Sequence, residues 1–133
     1  MKRFSQFGIV AMAFFFAVSS ATAATPDPDS PAKAVNWKQY SNALVDGIKS
    51  DNLGVRDAAM RLAIQYAGKV DISQASVDLM RIYRDADSDQ VRRMAAVTLA
   101  SIDSDFADGY LRLSAEFERN PAVKQTLQAL VAN

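Results

Sequence analysis

The feature of this sequence that most constrains its fold is a short pattern that occurs three times. Residues 87–102 (DSDQVRRMAAVTLASI) begin with small polar residues, continue into Val91-Arg92, and end as an Ala- and Leu-rich amphipathic segment. The same pattern starts 36 residues earlier, at residues 51–66, and a fainter copy places Val123 32 residues after Val91. A period in this range is typical of stacked helical repeats. The chain is therefore expected to fold as a row of helix pairs.

Apolar residues recur at helical spacing throughout the region that contains these repeats. Six such stretches are separated by short polar turns, and none shows the sustained period-two alternation of a half-buried strand. Asn120-Pro121 is the clearest boundary, because Asn caps helices and Pro suits the first helical position. The sequence predicts an all-α fold: an α-solenoid of about three antiparallel helix pairs, with no β-sheet.

The apolar stripes also predict which face of each helix points inward. In the second helix, Val55, Ala59 and Leu62 fall on one stripe and are expected to enter the core. The fifth helix carries a large aromatic stripe, made of Phe106, Tyr110, Leu113 and Phe117.

The first 23 residues have the three parts of a secretory signal peptide. Lys2 and Arg3 form a basic start, residues 8–18 form an apolar stretch of 11 residues, and Ala21-Thr-Ala23 is a small-residue cleavage site. A membrane-spanning helix needs about 20 apolar residues, so this stretch is too short to be an anchor. We expect cleavage after Ala23 and a periplasmic or secreted protein of bacterial type, without stable membrane insertion after cleavage.

The part of the chain after the predicted signal divides into two regions. Residues 24–35 contain three prolines and two aspartates, which predicts a flexible linker, and residues 36–133 form the predicted repeat domain. The sequence contains no cysteine, so no disulfide can form. Removal of Lys2 and Arg3 leaves 13 basic and 15 acidic residues, a net charge near −2. That balance argues against nucleic-acid binding, which depends on a strong positive field.

The repeated motif resembles that of a known family. Val-Arg occurs at residues 55–56 and 91–92, Val-Lys occurs at residues 123–124, and Asp51 and Asp87 each lie five residues before the arginine. Small or apolar residues follow each valine at helical spacing. This pattern resembles HEAT repeats, including the short HEAT-like repeats of bacterial proteins, over roughly residues 36–131. A tetratricopeptide array is the rival interpretation, but its Trp, Gly and Tyr spacing does not recur here.

The resemblance implies a structural role for four of these residues. In HEAT repeats the aspartate and arginine often link adjacent repeats through side-chain hydrogen bonds. By that resemblance, the residues expected to join the repeats are Asp51, Arg56, Asp87 and Arg92.

The composition offers little for catalysis or metal binding. The sequence has no histidine and no cysteine, which removes the commonest nucleophile–base pairs and metal ligands. Its two glutamates, Glu116 and Glu118, are two apart on one predicted helix and so point in different directions. Alternating aspartates at residues 85–89 resemble the start of a calcium loop, but Gln90 stands where the loop needs glycine. We expect no cofactor, no metal and no enzymatic activity.

The outward face of the second helices is the candidate binding surface. In stacked helix pairs these helices line the concave side, and Arg and Met are enriched in protein interfaces. An arginine there can also hold a carboxylate with two hydrogen bonds. The side chains expected to face a partner are Met60, Arg61 and Ile64 in the second helix and Arg93 and Val97 in the fourth, with Ala96 beside them.

Three functional hypotheses follow. The first is an exported, non-catalytic module that binds a protein or peptide partner in the cell envelope. The second is a structural accessory or self-associating adaptor without a defined groove, which uses an apolar outer side of the last repeat. The third, a hydrolase, requires a deep cleft holding two acids about 5 to 10 Å apart, which a three-repeat solenoid should lack. The residues behind the second hypothesis are Phe106, Tyr110, Phe117, Leu127, Leu130 and Val131.

Overall fold

The computed structural model describes residues 34–133. The predicted signal peptide (residues 1–23) and residues 24–33 of the predicted linker lie outside the described residues. Within them the chain is all-helical, as predicted, and has no β-strand apart from one isolated bridge between Ala67 and Val70. The helices are α1 (Trp37–Ile48), α2 (Leu53–Gln65), α3 (Ser76–Asp85), α4 (Asp89–Ala100), α5 (Asp105–Phe117) and α6 (Pro121–Val131).

The six helices pack as three consecutive pairs. α1 packs on α2, α3 on α4, and α5 on α6, with a 3₁₀ turn at Ser73–Ala75 leading into α3. The second helices of the pairs also pack side by side, α2 on α4 and α4 on α6. α4 therefore contacts four other helices and forms the centre of the domain. This stack of helix pairs is the solenoid that the sequence predicted.

Side-chain caps set the helix starts and confirm the register of the repeats. In α2 and α4 the cap oxygen accepts a hydrogen bond from the backbone N–H of the valine three residues on, and the cap of α6 does the same. Each such cap stabilises a helix by about 1 kcal/mol. Because the cap-to-valine spacing is identical, the three second helices can be aligned residue by residue. The capping residues of the six-helix array are Asn36, Asn52, Ser88, Ser104 and Asn120.

The core runs through all three pairs, between the two helix layers and along the row of second helices. Leu79, Leu99 and Leu127 are completely buried, one from each of α3, α4 and α6. α1 and α2 approach very closely: a Cβ added at Gly47 would lie 2.7 Å from the Cβ of Ala59. The lack of a side chain at Gly47 therefore permits this contact.

Of the three residues predicted to face inward in α2, Ala59 is buried and Leu62 packs against the core, but the prediction for Val55 is wrong. Val55 is 48% exposed in the first turn of α2, whereas Val123, at the equivalent position of α6, is completely buried. In α5 the side chains that enter the core are Ala107, Leu111 and Ala115, and the large aromatic stripe lies on another side of the helix.

Candidate functional site

The most exposed apolar surface lies on α5. Phe106, Leu113 and Phe117 are 65%, 57% and 74% exposed. Tyr110 continues the same line between them, because residues three and four apart are neighbours on a helix. Its ring is half-buried against Tyr83 of α3, with the ring centroids 6.0 Å apart. We call Phe106, Tyr110, Leu113 and Phe117 the α5 stripe.

The α5 stripe exists because α5 has two apolar faces and the core uses one of them. The core face consists of small or medium side chains, Ala107, Leu111 and Ala115, which let α5 approach its neighbours closely. The two phenylalanines are not needed to fill that space. Exposing large aromatic side chains to water costs free energy in proportion to their apolar area. Contiguous exposed patches of this kind mark interaction sites.

Tyr110 holds α5 against α3 at one edge of the stripe. Its hydroxyl donates a long hydrogen bond, 3.4 Å, to the carbonyl of Met80, and burial raises its pKa. Phe117 borders a shallow depression of about 350 Å³ that also contains Arg84 and Arg119. The stripe is therefore an apolar strip with a polar rim, the composition usual for protein interfaces.

The predicted binding face on the second helices is only partly exposed. Arg61 and Arg93 are exposed, while Ile64 and Val97 are partly buried. Met60 is completely buried, so the prediction that it faces a partner is wrong.

Ala96, expected beside that face, is also completely buried. The reason is the packing of α2, α4 and α6 on one another, which buries a second side of each helix in addition to the side facing its pair mate. An apolar stripe in the sequence identifies the side of a helix that faces its pair mate. It does not identify the second side, which the neighbouring helix pairs bury.

Arg93 is held in place by the next repeat. Its Nε–H donates a 2.8 Å hydrogen bond to the hydroxyl oxygen of Thr126 in α6. That bond uses one of five guanidinium donors. The cap alignment shows that Arg93 corresponds to Asp57, whereas Arg61 corresponds to Val97. The two arginines therefore lie on neighbouring second helices but are offset by about one turn along the helix axis, so their positions are not equivalent.

Arg92 links the second and third repeats, as the resemblance implied, but its partner is a glutamate. Its Nη2 lies 2.6 Å from Oε2 of Glu118, and its Nε–H donates to the carbonyl of Tyr83 at 2.8 Å. Glu118 also accepts hydrogen bonds from the Tyr83 hydroxyl and from the backbone N–H of Asn120. We call Tyr83, Arg92 and Glu118 the clamp, since they join α3, α4 and the end of α5.

Within the clamp the pKa of Glu118 is lowered and that of Tyr83 is raised. Burial by itself raises the pKa of Glu118, but the hydrogen bonds from Tyr83, Asn120 and Arg92 together lower it to about 2. Burial, followed by the hydrogen bond to Glu118, raises the pKa of the Tyr83 hydroxyl. The Glu118 side chain is 6% exposed and that of Arg92 is 18% exposed, so the clamp is a largely buried group with a structural role.

The other residues expected to link repeats do not do so. Asp51 and Asp87 each lie one residue before a helix cap, are exposed, and make no hydrogen bond to either arginine within residues 34–133. The position that corresponds to Glu118 in the second repeat is Ala86, so Arg56 lacks a carboxylate there. The Nε of Arg56 is buried without a hydrogen-bond partner in the described part of the chain, as is Oδ1 of Asp57.

The remaining acidic residues of the described region do not form a metal-binding cluster. In the stretch from Ala34 to Asn133, no group of three or more Asp, Glu, His or Cys residues is placed to hold a metal ion. Asp85 pairs with Arg84, and Asp89 accepts a hydrogen bond from the Asn120 side chain at 2.7 Å. No helix among the described residues is both long and apolar enough to span a membrane.

Comparison of the chain with protein-family models, with curated proteins and with solved structures found no match. The resemblance to HEAT repeats therefore stays a prediction from the sequence, while the helix-pair solenoid is established by the packing of α1 to α6.

Proposed function

We propose that this chain is a non-catalytic interaction module of the bacterial cell envelope, which binds a protein partner through the α5 stripe. The observation that carries the proposal is the exposure of Phe106, Leu113 and Phe117 on one helix. Two phenylalanines and a leucine in one line can supply the apolar centre that most protein interfaces need. The absence of histidine and cysteine from the sequence supports a binding role rather than a catalytic one.

The address in the envelope rests on the amino-terminal sequence. Its basic start, apolar stretch of 11 residues and Ala21-Thr-Ala23 site follow the pattern of a cleaved secretory signal. The three stacked helix pairs and their repeated Val-Arg motif support assignment to the HEAT-like repeats. Repeat arrays of this kind commonly expose extended binding surfaces.

A second candidate surface lies on the second helices, around Arg61, Ile64, Arg93 and Val97. The observation in its favour is the hydrogen bond from Arg93 to Thr126, which holds the guanidinium in one orientation. An oriented arginine loses less side-chain entropy when it binds a carboxylate with two hydrogen bonds. A partner at this surface would be an acidic peptide, whereas a partner at the α5 stripe would be apolar.

Site-specific photocrosslinking in living cells tests the proposal and separates the two surfaces. A photoreactive phenylalanine analogue is placed at position 113, 117, 61 or 43 in the full chain. Ala43 serves as the matched control because it is exposed on α1, away from both surfaces. Crosslinks at 113 and 117, but not at 61 or 43, are the expected result. Crosslinks at 61 alone would assign the binding function to the surface around Arg61 and Arg93 instead. Equal labelling at all four positions would overturn both candidate surfaces.

A further inference from the structure

The spacing of the α5 stripe is the same from either end of the helix. Its four residues, Phe106, Tyr110, Leu113 and Phe117, are separated by four, three and four positions. This alternation of four and three is the spacing of the seam in a helical coiled coil, where two helices pack knobs into holes. α5 already uses a different face for the core of its own domain. The seam is therefore open to a helix from outside.

A sequence that is symmetric in this way fits a second copy of itself running antiparallel. With the two-fold axis midway between residues 111 and 112, Phe106 of one copy lies opposite Phe117 of the other. The same axis sets Tyr110 opposite Leu113. Closed two-fold dimers are the commonest oligomers, and each surface patch there meets its own copy. A parallel arrangement would set Phe106 against Phe106 and would place like ends of the two helix dipoles side by side, which the antiparallel arrangement avoids.

The exposed area agrees with a weak dimer. At 65%, 57% and 74% exposure, the two phenylalanines and Leu113 leave on the order of 350 Å² of mostly apolar surface on each copy. Two such strips with their polar rims bury roughly 1,000 Å² in total, near the lower limit of a specific interface. Interfaces near this limit belong to weak or transient associations, so a reversible dimer is expected.

Gly109 supplies an independent observation at the same surface. It lies inside α5, three residues after Phe106 and four before Leu113, so it adjoins the stripe. Glycine within a helix is less favourable than alanine. Apart from its chain neighbours and the backbone of α5 itself, no atom of the described residues lies within 4 Å of a Cβ added there, so packing inside the domain does not require a glycine. The position lets the backbone of a second helix approach α5 closely.

We infer that this protein forms an antiparallel two-fold dimer through α5, in which the two α5 stripes pack on each other. The inference rests on the proposed function, because it names the partner of the same stripe as a second copy of the chain. The dimer would present two copies of the surface around Arg61 and Arg93 to other molecules, one on each chain.

Disulfide trapping tests the geometry directly, because the chain has no cysteine of its own. Two full-length variants, Phe106→Cys and Phe117→Cys, are oxidised separately and as a mixture. Antiparallel packing predicts a covalent dimer in the mixture and at least a fivefold lower yield in either variant alone. A covalent dimer of Phe106→Cys alone, at equal or higher yield, would overturn the antiparallel arrangement, as would the lack of any trapped dimer.

Sedimentation across a wide concentration range tests the association itself. The wild-type chain is expected to be a reversible dimer, and Leu113→Asp is expected to be monomeric at all concentrations. Ala43→Asp, exposed on α1, is the charge-matched control and should dimerise like the wild type.

The possible results distinguish this inference from the proposed function. A wild-type chain that stays monomeric, but that crosslinks to another protein at residues 113 and 117, overturns the dimer and leaves the stripe as a docking surface. A monomeric chain without those crosslinks overturns both. A dimer that Leu113→Asp does not affect places the interface elsewhere and also contradicts the inference.

Discussion

The Glu118 carboxylate is the most heavily hydrogen-bonded side chain of the described region. It accepts from the Tyr83 hydroxyl, twice from Arg92 and once from the Asn120 N–H. Replacing Glu118 with alanine leaves the guanidinium of Arg92 partly buried without its counter-charge, so the free energy of unfolding is expected to fall by about 3 kcal/mol. Urea denaturation measures the change. Glu116→Ala, at an exposed position of α5 two residues earlier, should stay within about 0.5 kcal/mol of the wild type.

The lowered pKa of Glu118 predicts how stability depends on pH. Its pKa in the folded protein is about 2, below the ordinary value of 4.5. The carboxylate therefore contributes stability fully above pH 4.5, and this contribution is lost as the pH falls toward 2. The difference in unfolding free energy between the wild type and Glu118→Gln should shrink over that interval. A difference that stays constant from pH 6 to pH 2, measured by urea titrations, would contradict the assignment.

At the scale of the helices, two glycines with opposite surroundings give a matched comparison. A Cβ at Gly47 would lie 2.7 Å from Ala59, whereas a Cβ at Gly109 meets nothing within 4 Å. Gly47→Ala is expected to lower the free energy of unfolding by about 1 to 3 kcal/mol through overpacking. Gly109→Ala is expected to raise it by about 0.5 to 1 kcal/mol through helix propensity. Thermal or urea unfolding of dilute protein checks both, and the prediction fails if the two variants shift stability in the same direction.

The helices could be predicted from the sequence, whereas their faces could be predicted only in part. Caps such as Asn120 and the valines that follow them act within one turn, so the printed order of residues reveals them. Burial of Met60 depends on α4 packing against α2, a contact between residues distant in the sequence. Phe117 is likewise exposed because Ala107 and Ala115, on another side of α5, are the residues that pack in the core. A helix with two apolar sides does not reveal which one the core will use.

At the scale of the whole molecule, the two repeat interfaces are built differently although their motifs look alike. The Val-Arg pattern predicted equivalent roles for Arg56 and Arg92. Arg92 has Glu118 as a partner, while the corresponding residue opposite Arg56 is Ala86. The carboxylate stands outside the repeated motif, so the repeat pattern could not show that one interface has it and the other lacks it. The sequence placed Phe106 and Phe117 on an apolar outer side of the last repeat, and the structure exposes both. Leu127, expected with them on that side, is completely buried, because α6 packs on both α4 and α5.

This asymmetry predicts that the first repeat opens before the others. Between the second and third repeats, the clamp, the Arg93–Thr126 bond and the Asp89–Asn120 bond all cross the interface. Between the first and second, one side-chain hydrogen bond crosses, from the backbone N–H of Asp71 to the Ser41 hydroxyl, and the Nε of Arg56 is buried without a partner among residues 34–133. Native-state hydrogen exchange should therefore give lower opening free energies for the amides of α1 and α2 than for those of α4 and α6. Glu118→Ala should reduce this difference in opening free energy, because it weakens the interface between the second and third repeats. Equal opening free energies in all helices of the wild type would show that the three repeats unfold as one unit. The clamp would then not stabilise α4 and α6 more than α1 and α2.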